Sequence, residues 1–197
     1  MTELQQIFRR LSMLHPNKKI TDIRKLRRLY EESAVFTAFD TETSSITPTT
    51  GRIIEIGAVK FTKDGIISTW SNLFYPNQQL SQFIIDFTHI TQEMVDSADP
   101  IEDHLANFLA FIKDSILVAH NSQFDMNFLN SECEKCGYPV THNKVVDTLP
   151  LSIQRFPDFP KHKLDFLAYA LKIDKGSSHR ALDDAKTCME LFKSCIN

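Results

Sequence analysis

The sequence has no hydrophobic run that approaches the roughly 18 apolar residues of a membrane-spanning helix. Its first residues include Glu3, Gln5 and Gln6, so they lack the apolar segment of a secretory signal. We find no internal repeat and no low-complexity tract. These absences argue against a membrane protein, a secretory signal at this N-terminus and a repeat protein, and they predict a cytoplasmic protein.

Cysteine is scarce, with four residues in 197, and only Cys133 and Cys136 have the spacing Cys-x-x-Cys. A zinc site needs a second pair of ligands at short spacing, which the sequence does not supply. The segment has the pattern of a helix with Leu129 and both cysteines on one side, ended by Gly137 and Pro139. We interpret these cysteines as core thiols of a reducing compartment, with a metal or redox pair as the alternative.

The net charge of −3 is unevenly distributed along the chain. Residues 1–28 contain eight Lys/Arg and two acidic residues, a net of 8 − 2 = +6, whereas the remainder has 14 − 23 = −9. A basic arm on an acidic body fits phosphate binding by the arm and metal binding by the body. The alternative is a solvated pair of amphipathic helices, because apolar residues recur at helical spacing. The eight basic residues are Arg9, Arg10, Lys18, Lys19, Arg24, Lys25, Arg27 and Arg28. We predict a basic helical extension over residues 1–33 and one domain over residues 34–197.

The apolar patterns of the rest of the chain predict an α/β domain. The predicted strands are Val35–Phe39, Ile53–Phe61, Ile66–Phe74, Ile116–His120 and Val145–Asp147, with a hairpin turn at Lys63-Asp64-Gly65. One predicted helix starts at Asp99-Pro100-Ile101-Glu102, and the others run through Asp125 to Cys136, over Leu164–Leu171 and over Arg180–Ile196. Three strands joined by turns, followed by alternating helices and strands, predict a mixed sheet flanked by helices.

Two carboxylates follow the first predicted strand, in the segment Phe39-Asp40-Thr41-Glu42-Thr43. Strand side chains alternate between faces, so Asp40 and Glu42 project to one side and Thr41 to the other. Two carboxylates about 7 Å apart at a strand end repel each other unless they are protonated or bridged by cations. A single Asp-x-Glu is weak evidence, because most such pairs lie in solvated loops.

A third carboxylate, Asp125, lies in the first turns of a helix that follows a buried strand. A carboxylate near a helix N-terminus is favourable for the helix by itself. The same placement puts Asp125 at the end of the sheet, where open α/β sheets build their sites.

The last helix supplies a fourth carboxylate. Its apolar stripe consists of Ala181, Ala185, Cys188, Met189 and Phe192. At about 100° per residue Asp184 borders this stripe, whereas Asp183 points nearly opposite and is expected to face water. His179 precedes the helix in a loop with Gly176, Ser177 and Ser178 that can bring its ring over the site.

Together these residues resemble the Asp-Glu-Asp-Asp-His signature of the DnaQ-like 3′→5′ exonucleases, from about Ala34 to the C-terminus. The resemblance implies a ribonuclease H-like, five-stranded mixed sheet flanked by helices. It also implies that Asp40, Glu42, Asp125 and Asp184 hold two divalent metal ions, and that His179 is the general base. The five-residue step from His179 to Asp184 selects this subgroup, because the sister subgroup has a tyrosine where this chain has Arg180.

Two more segments are similar to the family. Ile53–Val59 looks like its second strand, and Thr88-His89-Ile90-Thr91 resembles its Thr-Gly-Ile-Thr substrate-contact segment. His89 replaces the usual glycine, which bears on the local backbone shape and on the fit of the terminal nucleotide. The expected substrate contacts are Thr41, Thr43, Thr88, Asn121 and Phe124, since bases stack on aromatic rings. For Phe124, core packing is the alternative.

The implied activity is the removal of nucleoside 5′-monophosphates from DNA 3′ ends, in proofreading or repair. The expected cofactor is Mg²⁺, two ions, for which Mn²⁺ can substitute. The expected partner is nucleic acid with a single-stranded 3′ end, DNA rather than RNA, with no membrane contact. An exoribonuclease similar to RNase T or oligoribonuclease is one alternative, and a non-catalytic, polymerase-associated module is another.

The sequence also suggests two candidate protein partners, a DNA polymerase and a sliding clamp, each with an alternative interpretation. The family includes polymerase subunits, although a chain that ends one residue after its last helix favours a stand-alone enzyme or a cut-out domain. The segment Gln79-Leu80-Ser81-Gln82-Phe83 resembles a sliding-clamp-binding motif in which Gln82 replaces an apolar anchor. The alternative for this segment is that it leads into a helix of the domain.

Overall fold

Five β-strands form a mixed sheet in the computed structural model, which describes residues 17–176 and 179–197. The strands are β1 Phe36–Thr43, β2 Ile53–Thr62, β3 Gly65–Leu73, β4 Ile116–Ala119 and β5 Val145–Asp147. Their spatial order is β3-β2-β1-β4-β5. The pairs β3-β2 and β2-β1 are antiparallel, whereas β1-β4 and β4-β5 are parallel. The predicted sheet is therefore confirmed.

Helices cover both faces of this sheet. They are α1 Ile23–Glu31, α2 Gln82–Thr88, α3 Gln92–Asp96, α4 Leu105–Ile112, α5 Gln123–Lys135, α6 Thr148–Arg155, α7 Leu164–Leu171 and α8 Ala181–Ile196. The predicted helix start at Asp99 is wrong in detail. A 3₁₀ turn over Ile101–Asp103 precedes α4, and the Asp99 carboxylate lies 3.1 Å from Nε2 of His104 instead of capping a helix.

β1 is longer than predicted and includes the two carboxylates. It continues through Asp40 to Thr43 because β2 pairs with it along its length, up to the pair Thr43–Ile53. Side chains alternate along β1 as expected. The Phe36 ring lies on the α8 face, 4.9 Å from the ring centre of Phe192, and the Phe39 ring lies on the α4 face, 6.4 Å from that of Phe108.

The basic N-terminal region is described from Asn17 onward, so the first predicted amphipathic helix lies outside the described residues. The second predicted helix is α1, which is capped by the Asp22 carboxylate and buries Leu26 completely. Lys19 forms an isolated parallel β-bridge with Val145, the first residue of β5. Residues 17–31 therefore pack against the domain, and the boundary at residue 33 stays a prediction.

The cysteines are free thiols, and Cys133 is completely buried beside β4 and α4. Burial raises the pKa of the Cys133 thiol to about 12 and that of Cys136 to about 11. Core thiols are therefore the interpretation that the structure supports. Within residues 17–176 and 179–197, no helix is long and apolar enough to span a membrane.

Candidate active site

β1 presents two carboxylates on the sheet face that α8 covers. Asp40 and Glu42 are two residues apart and therefore share this face with Ala38. In the antiparallel neighbour β2, Asp40 pairs with Gly57 and Glu42 pairs with Glu55. The strand thus carries both carboxylates to the sheet end from which α8 starts.

Asp125 reaches the same place from the opposite face of the sheet. It lies in the first turn of α5, is 3% exposed, and its Oδ1 accepts the backbone N–H of Thr41 at 3.0 Å and the Thr41 hydroxyl at 2.8 Å. The start of α5 is held in turn by Asp147, whose carboxylate accepts the Ser122 hydroxyl and the N–H of Asn121, both at 3.0 Å. Thr41, predicted as a substrate contact, therefore positions Asp125.

α8 supplies Asp184, and the loop before it supplies His179. Asp184 is 8% exposed, and its Oδ2 accepts the backbone N–H of His179 at 2.9 Å. One ligand atom each of Glu42, His179 and Asp184 lie within 4.8 Å of one another. The predicted helix register is therefore correct for Asp184.

The expectation that Asp183 faces open water needs correction. Its side chain is partly buried and its carboxylate pairs with Nζ of Lys186 at 3.1 Å. A Cβ atom added to Gly176 would lie only 2.7 Å from Oδ2 of Asp183. Gly176 therefore lies against this carboxylate, which helix periodicity alone does not reveal.

Burial disfavours the ionised forms of all four carboxylates, and charge repulsion within the group adds to it for Asp40 and Glu42. Burial, followed by the charges of Asp125 and Glu42, raises the pKa of Asp40 well above its usual value. Burial raises the pKa of Glu42 to about 8, with the charge of Asp184 as the next cause. Burial also raises the pKa of Asp125 to about 7 and that of Asp184 to about 6. Carboxylates concentrated in this way fit a divalent cation, which would take the place of the bound protons.

His179 has a different electrostatic environment. Burial lowers its pKa, which favours the neutral imidazole near pH 7. Its ring packs against that of Phe87 with a centroid distance of 4.3 Å, and its backbone adopts a left-handed φ of 58°. The ring is therefore oriented by Phe87 on α2 and by the turn that leads into α8.

One cleft of about 730 Å³ is lined by all ten residues that the sequence predicted as catalytic, metal-binding or substrate-binding. They are Asp40, Thr41, Glu42, Thr43, Thr88, Asn121, Phe124, Asp125, His179 and Asp184. In the sequence these residues are far apart: they lie in β1, at the end of α2, in and just before the first turn of α5, and in and just before the first turn of α8.

The residues predicted to contact the substrate differ in whether their polar groups already form hydrogen bonds within the protein. The Thr43 hydroxyl is donated to the Ser45 carbonyl at 2.7 Å, and the buried Thr88 hydroxyl is donated to the Ile84 carbonyl at 2.8 Å. Phe124 is half-buried and packs on Phe128 with ring centres 5.1 Å apart, so core packing explains part of its position. Asn121 is exposed at a left-handed φ of 64°.

His89, which replaces the usual glycine, ends α2 in the left-handed conformation with φ 58° and ψ 17°. Its backbone N–H is donated to the Ile85 carbonyl, as in a helix C-cap. The local backbone shape that glycine favours is thus kept, at a cost of about 1–2 kcal/mol for a residue with a Cβ.

Sequence reasoning missed two aromatic side chains at the mouth of the cleft. Phe83 is 66% exposed and Phe87 is 50% exposed, and their rings stack with centres 6.0 Å apart and an angle of 10° between their planes. Their i,i+4 spacing on α2 was the available signal. At the other end, His120 and Lys163 also line the cleft.

The clamp-motif-like segment leads into α2, as its alternative interpretation stated. The Ser81 hydroxyl caps the helix by accepting the N–H of Ile84 at 3.3 Å. Leu80 is buried in a cluster with Ile84 and Ile90. An anchor residue in this conformation is unavailable to a partner, so the structure does not support clamp binding through this segment.

Comparison with known proteins identifies relatives of this chain. The family model RNase_T, described as Exonuclease, matches residues 37–192. The DNA polymerase III subunit epsilon of Treponema pallidum is 40% identical over 167 residues, which cover 84% of this chain and 78% of that protein. The DNA polymerase III PolC-type of Caldanaerobacter subterraneus subsp. tengcongensis is 41% identical over 157 residues, 80% of this chain but only 11% of that much longer protein.

Solved structures show the same fold. The nuclease domain of 3′hExo, a DEDDh family member bound to rAMP, superposes with a TM-score of 0.65 and 25% identity, covering 81% of this chain and 90% of that chain. E. coli Exonuclease I in complex with a dT13 oligonucleotide gives a TM-score of 0.74 at 16% identity, covering 82% of this chain and 40% of that chain. The latter likeness concerns the fold alone.

Proposed function

The chain belongs to the DnaQ-like 3′→5′ exonucleases, and from this premise we propose that it removes nucleoside 5′-monophosphates from single-stranded 3′ ends of DNA. The observation that carries the proposal is the convergence of four carboxylates and one imidazole, from three different elements and one loop, on one cleft. A non-catalytic module would be expected to lack at least one of these five groups. All five are present, so an active enzyme is favoured.

The family depends on divalent metal ions, and we propose that Asp40, Glu42, Asp125 and Asp184 hold two Mg²⁺ ions, for which Mn²⁺ can substitute. Hard oxygen ligands suit these ions. The raised pKa values of the carboxylates support the assignment, because burial disfavours their ionised forms unless a bound cation compensates the charge. Bound metal ions would activate the attacking water and stabilise the departing 3′ oxygen.

His179 is the proposed general base. Its lowered pKa keeps the imidazole neutral near pH 7, so a ring nitrogen can accept the proton of the attacking water. The ring nitrogen lies among the carboxylates of Glu42 and Asp184, and the contact with Phe87 limits rotation of the ring. Both features support a fixed position for the base.

The aromatic mouth of the cleft supports a single-stranded substrate. Base stacking on an aromatic ring contributes about 1–3 kcal/mol per base and tolerates any sequence. Phe83 and Phe87 on α2 are 66% and 50% exposed, and the half-buried Phe124 also lines the cleft. We propose that the last bases of a frayed 3′ end stack on these rings, near Asn121.

The relatives favour DNA as the substrate and a role at a DNA polymerase. The 40% identical relative is a polymerase III subunit, and the PolC-type relative is a polymerase that matches over a small part of its length. We propose that this chain associates with a polymerase in the cytoplasm and removes mispaired 3′ ends. Cleavage of RNA is a second candidate, because the 3′hExo nuclease domain is described as bound to rAMP.

The decisive experiment is digestion of 5′-labelled oligonucleotides by the purified chain in Mg²⁺. Single-stranded DNA, a duplex with a mismatched 3′ end, a matched duplex and RNA of the same sequence are compared, with Asp184→Asn as the inactive control. We expect shortening from the 3′ end, release of 5′-monophosphates, and faster cleavage of the mismatched than of the matched duplex. Faster cleavage of RNA than of DNA would favour the second candidate, and no cleavage in Mg²⁺ or Mn²⁺ would refute the enzyme proposal.

A further inference from the structure

Helix α8, which carries Asp184, begins at a residue whose side chain does not cap it. Arg180 occupies the cap position, and its side chain accepts no N–H of the first turn. Instead, Oε2 of Glu55, on β2, accepts the backbone N–H of Ala181 at 3.0 Å. A carboxylate at this position satisfies a free amide and also complements the positive end of the helix dipole.

The other oxygen of Glu55 is held by Arg180. Nη2 of Arg180 donates to Oε1 of Glu55 at 2.9 Å, and Nε lies 3.3 Å from the same oxygen. Glu55 is 2% exposed, whereas the Arg180 side chain is 41% exposed. The arginine thus neutralises a buried carboxylate that would otherwise stand uncompensated beside Glu42, its cross-strand neighbour.

The same short segment sets the position of two site residues. The carbonyl of Arg180 accepts the N–H of Asp184 at 3.0 Å, and the N–H of His179 is donated to the Asp184 carboxylate at 2.9 Å. A shift of the Arg180 peptide would therefore move both His179 and Asp184. Contact with β2 is close, because a Cβ atom added to Gly57 would lie 2.0 Å from the backbone nitrogen of Leu182.

We infer that Glu55 and Arg180 are a positioning pair for the reaction, which holds the first turn of α8 on β2 and thereby places His179 and Asp184. Neither residue is among the described residues that line the cleft, so the pair acts through α8 and not on the substrate. Glu55 is also no fifth metal ligand in this arrangement, since both of its oxygens accept hydrogen bonds from α8 and Arg180. The inference rests on the proposed function of His179 and Asp184.

The test compares Glu55→Gln, Arg180→Lys and Arg180→Met with the parent chain. Groups that orient metal ligands are worth about 10–100-fold in metal affinity or activity. We expect Glu55→Gln and Arg180→Met to raise the dissociation constant for Mn²⁺, measured by calorimetry, by about 10-fold or more. Turnover should fall by a similar factor while KM for the oligonucleotide stays within about 2-fold, since only the interaction with the reacting centre is lost. Arg180→Lys keeps the positive charge, so it should retain part of the Mn²⁺ affinity and part of the turnover that Arg180→Met loses.

A matched control is Glu132→Gln. Glu132 is also a completely buried carboxylate paired with an arginine, Arg52, at 3.0 Å, but it lies at the far end of α5 from Asp125. This variant should lose thermal stability without a change in Mn²⁺ affinity. If Glu55→Gln behaves in the same way, with unchanged metal affinity and turnover, the pair is only structural and the inference is overturned.

Amide hydrogen exchange in metal-free protein separates this inference from the proposed function. Exchange of the segment 179–186 should speed up in Glu55→Gln and remain unchanged in Glu132→Gln, whatever reaction the cleft performs. An inactive parent chain would refute the proposed function and leave the exchange result to decide the role of Glu55. Unchanged exchange at the start of α8 in Glu55→Gln would overturn the positioning role even in an active enzyme. The double variant Glu55→Gln/Arg180→Met should lose no more affinity for Mn²⁺ than either single variant, because both changes remove the same contact between Glu55 and Arg180.

Discussion

Thr41 donates both its backbone N–H and its hydroxyl to the same oxygen of Asp125, at 3.0 and 2.8 Å. These residues are 84 positions apart and come from elements on opposite sides of the site. The Thr41 side chain lies on the α5 face of β1, whereas Asp40 and Glu42 project from the other face. Thr41 thus holds the Asp125 carboxylate at the cleft that Asp40 and Glu42 also line. Both of these hydrogen bonds end on Oδ1 of Asp125, so Thr41 fixes the orientation of the carboxylate.

Thr41→Val should therefore weaken the metal site while the backbone hydrogen bond remains. We expect a loss of about 10-fold in Mg²⁺ affinity or turnover, the low end for a group that orients a metal ligand. Thr41→Ser keeps the hydroxyl and should stay close to the parent chain. Half-saturating Mg²⁺ concentrations for the three proteins provide the measurement. Equal losses in the valine and serine variants would contradict a role of the hydroxyl.

His179→Ala should lower turnover by about 10²–10⁴-fold, the usual contribution of a general base. The four carboxylates remain, so Mn²⁺ binding measured by calorimetry should change much less than turnover. Single-turnover cleavage at pH 7.5 gives the rate. A variant with a near-parental rate would remove His179 from the mechanism.

Asp184→Asn and Asp183→Asn separate two adjacent carboxylates. Asp184 is buried among the site residues, so its change to asparagine should abolish cleavage and weaken metal binding. Asp183 is partly buried and pairs with Lys186, and it does not line the cleft, so its variant should keep turnover within about 3-fold. An inactive Asp183→Asn beside an active Asp184→Asn would show that the site assignment is wrong.

The metal-free protein should lose stability as the pH rises from about 7 to 8. Glu42 and Asp125 have pKa values of about 8 and 7 in the fold, above the value near 4 of an unfolded carboxyl group. The folded state therefore binds more protons than the unfolded state from about pH 4 to about pH 8, and stability falls with rising pH until the folded state has released these protons as well. The lowered pKa values of His120 and His179 act in the opposite direction, but mainly below pH 7.

Thermal melts in EDTA and in Mg²⁺ provide the measurement. The metal ions compete with protons for the same oxygens, so the gain in Tm from Mg²⁺ should be larger at pH 8 than at pH 6. Glu42→Gln should flatten the decline in EDTA, because it removes the carboxyl with the pKa of about 8. A Tm in EDTA that rises from pH 7 to pH 8 would contradict the assignment.

The basic arm can be tested more selectively with the structure in hand. α1 packs on the C-terminal half of α8, roughly 18 Å along the helix from Asp184 at 1.5 Å per residue. Arg24, Lys25, Arg27 and Arg28 are all exposed, but Arg27 donates to the backbone carbonyl of Asn197 at 2.6 Å and so also contacts the end of α8, and Arg28 pairs with Glu32 at 4.0 Å.

Neutralising Arg24, Lys25 and Arg28 to glutamine should flatten the dependence of log affinity on log salt by up to about 0.7 per lost contact with a single-strand phosphate. The effect should appear with long oligonucleotides and vanish with short ones that end near the cleft. Arg27→Gln alone should lower Tm instead. Identical salt slopes with a long oligonucleotide would mean that the arm does not bind the substrate.

Much of the site followed from local periodicity. Alternation along β1 placed Asp40 and Glu42 on one face, and the apolar stripe of α8 placed Asp184 toward the body, because both periods are properties of a single element. The order of strands and helices also indicated a mixed sheet. The same reasoning misplaced the end of β1 and the start of α4, since these depend on pairing with β2 and on a contact between Asp99 and His104.

The sequence by itself predicted which residues would carry the chemistry, and it determined on which face of their own elements Asp40, Glu42 and Asp184 lie. Only the tertiary structure decided that Thr41 holds Asp125, that Phe87 packs on His179 and that Glu55 caps α8. Each of these contacts joins residues far apart in the chain, so it depends on the strand order and on how closely α8 approaches β2 at Gly57. A repeating pattern within one segment contains no information about such distances.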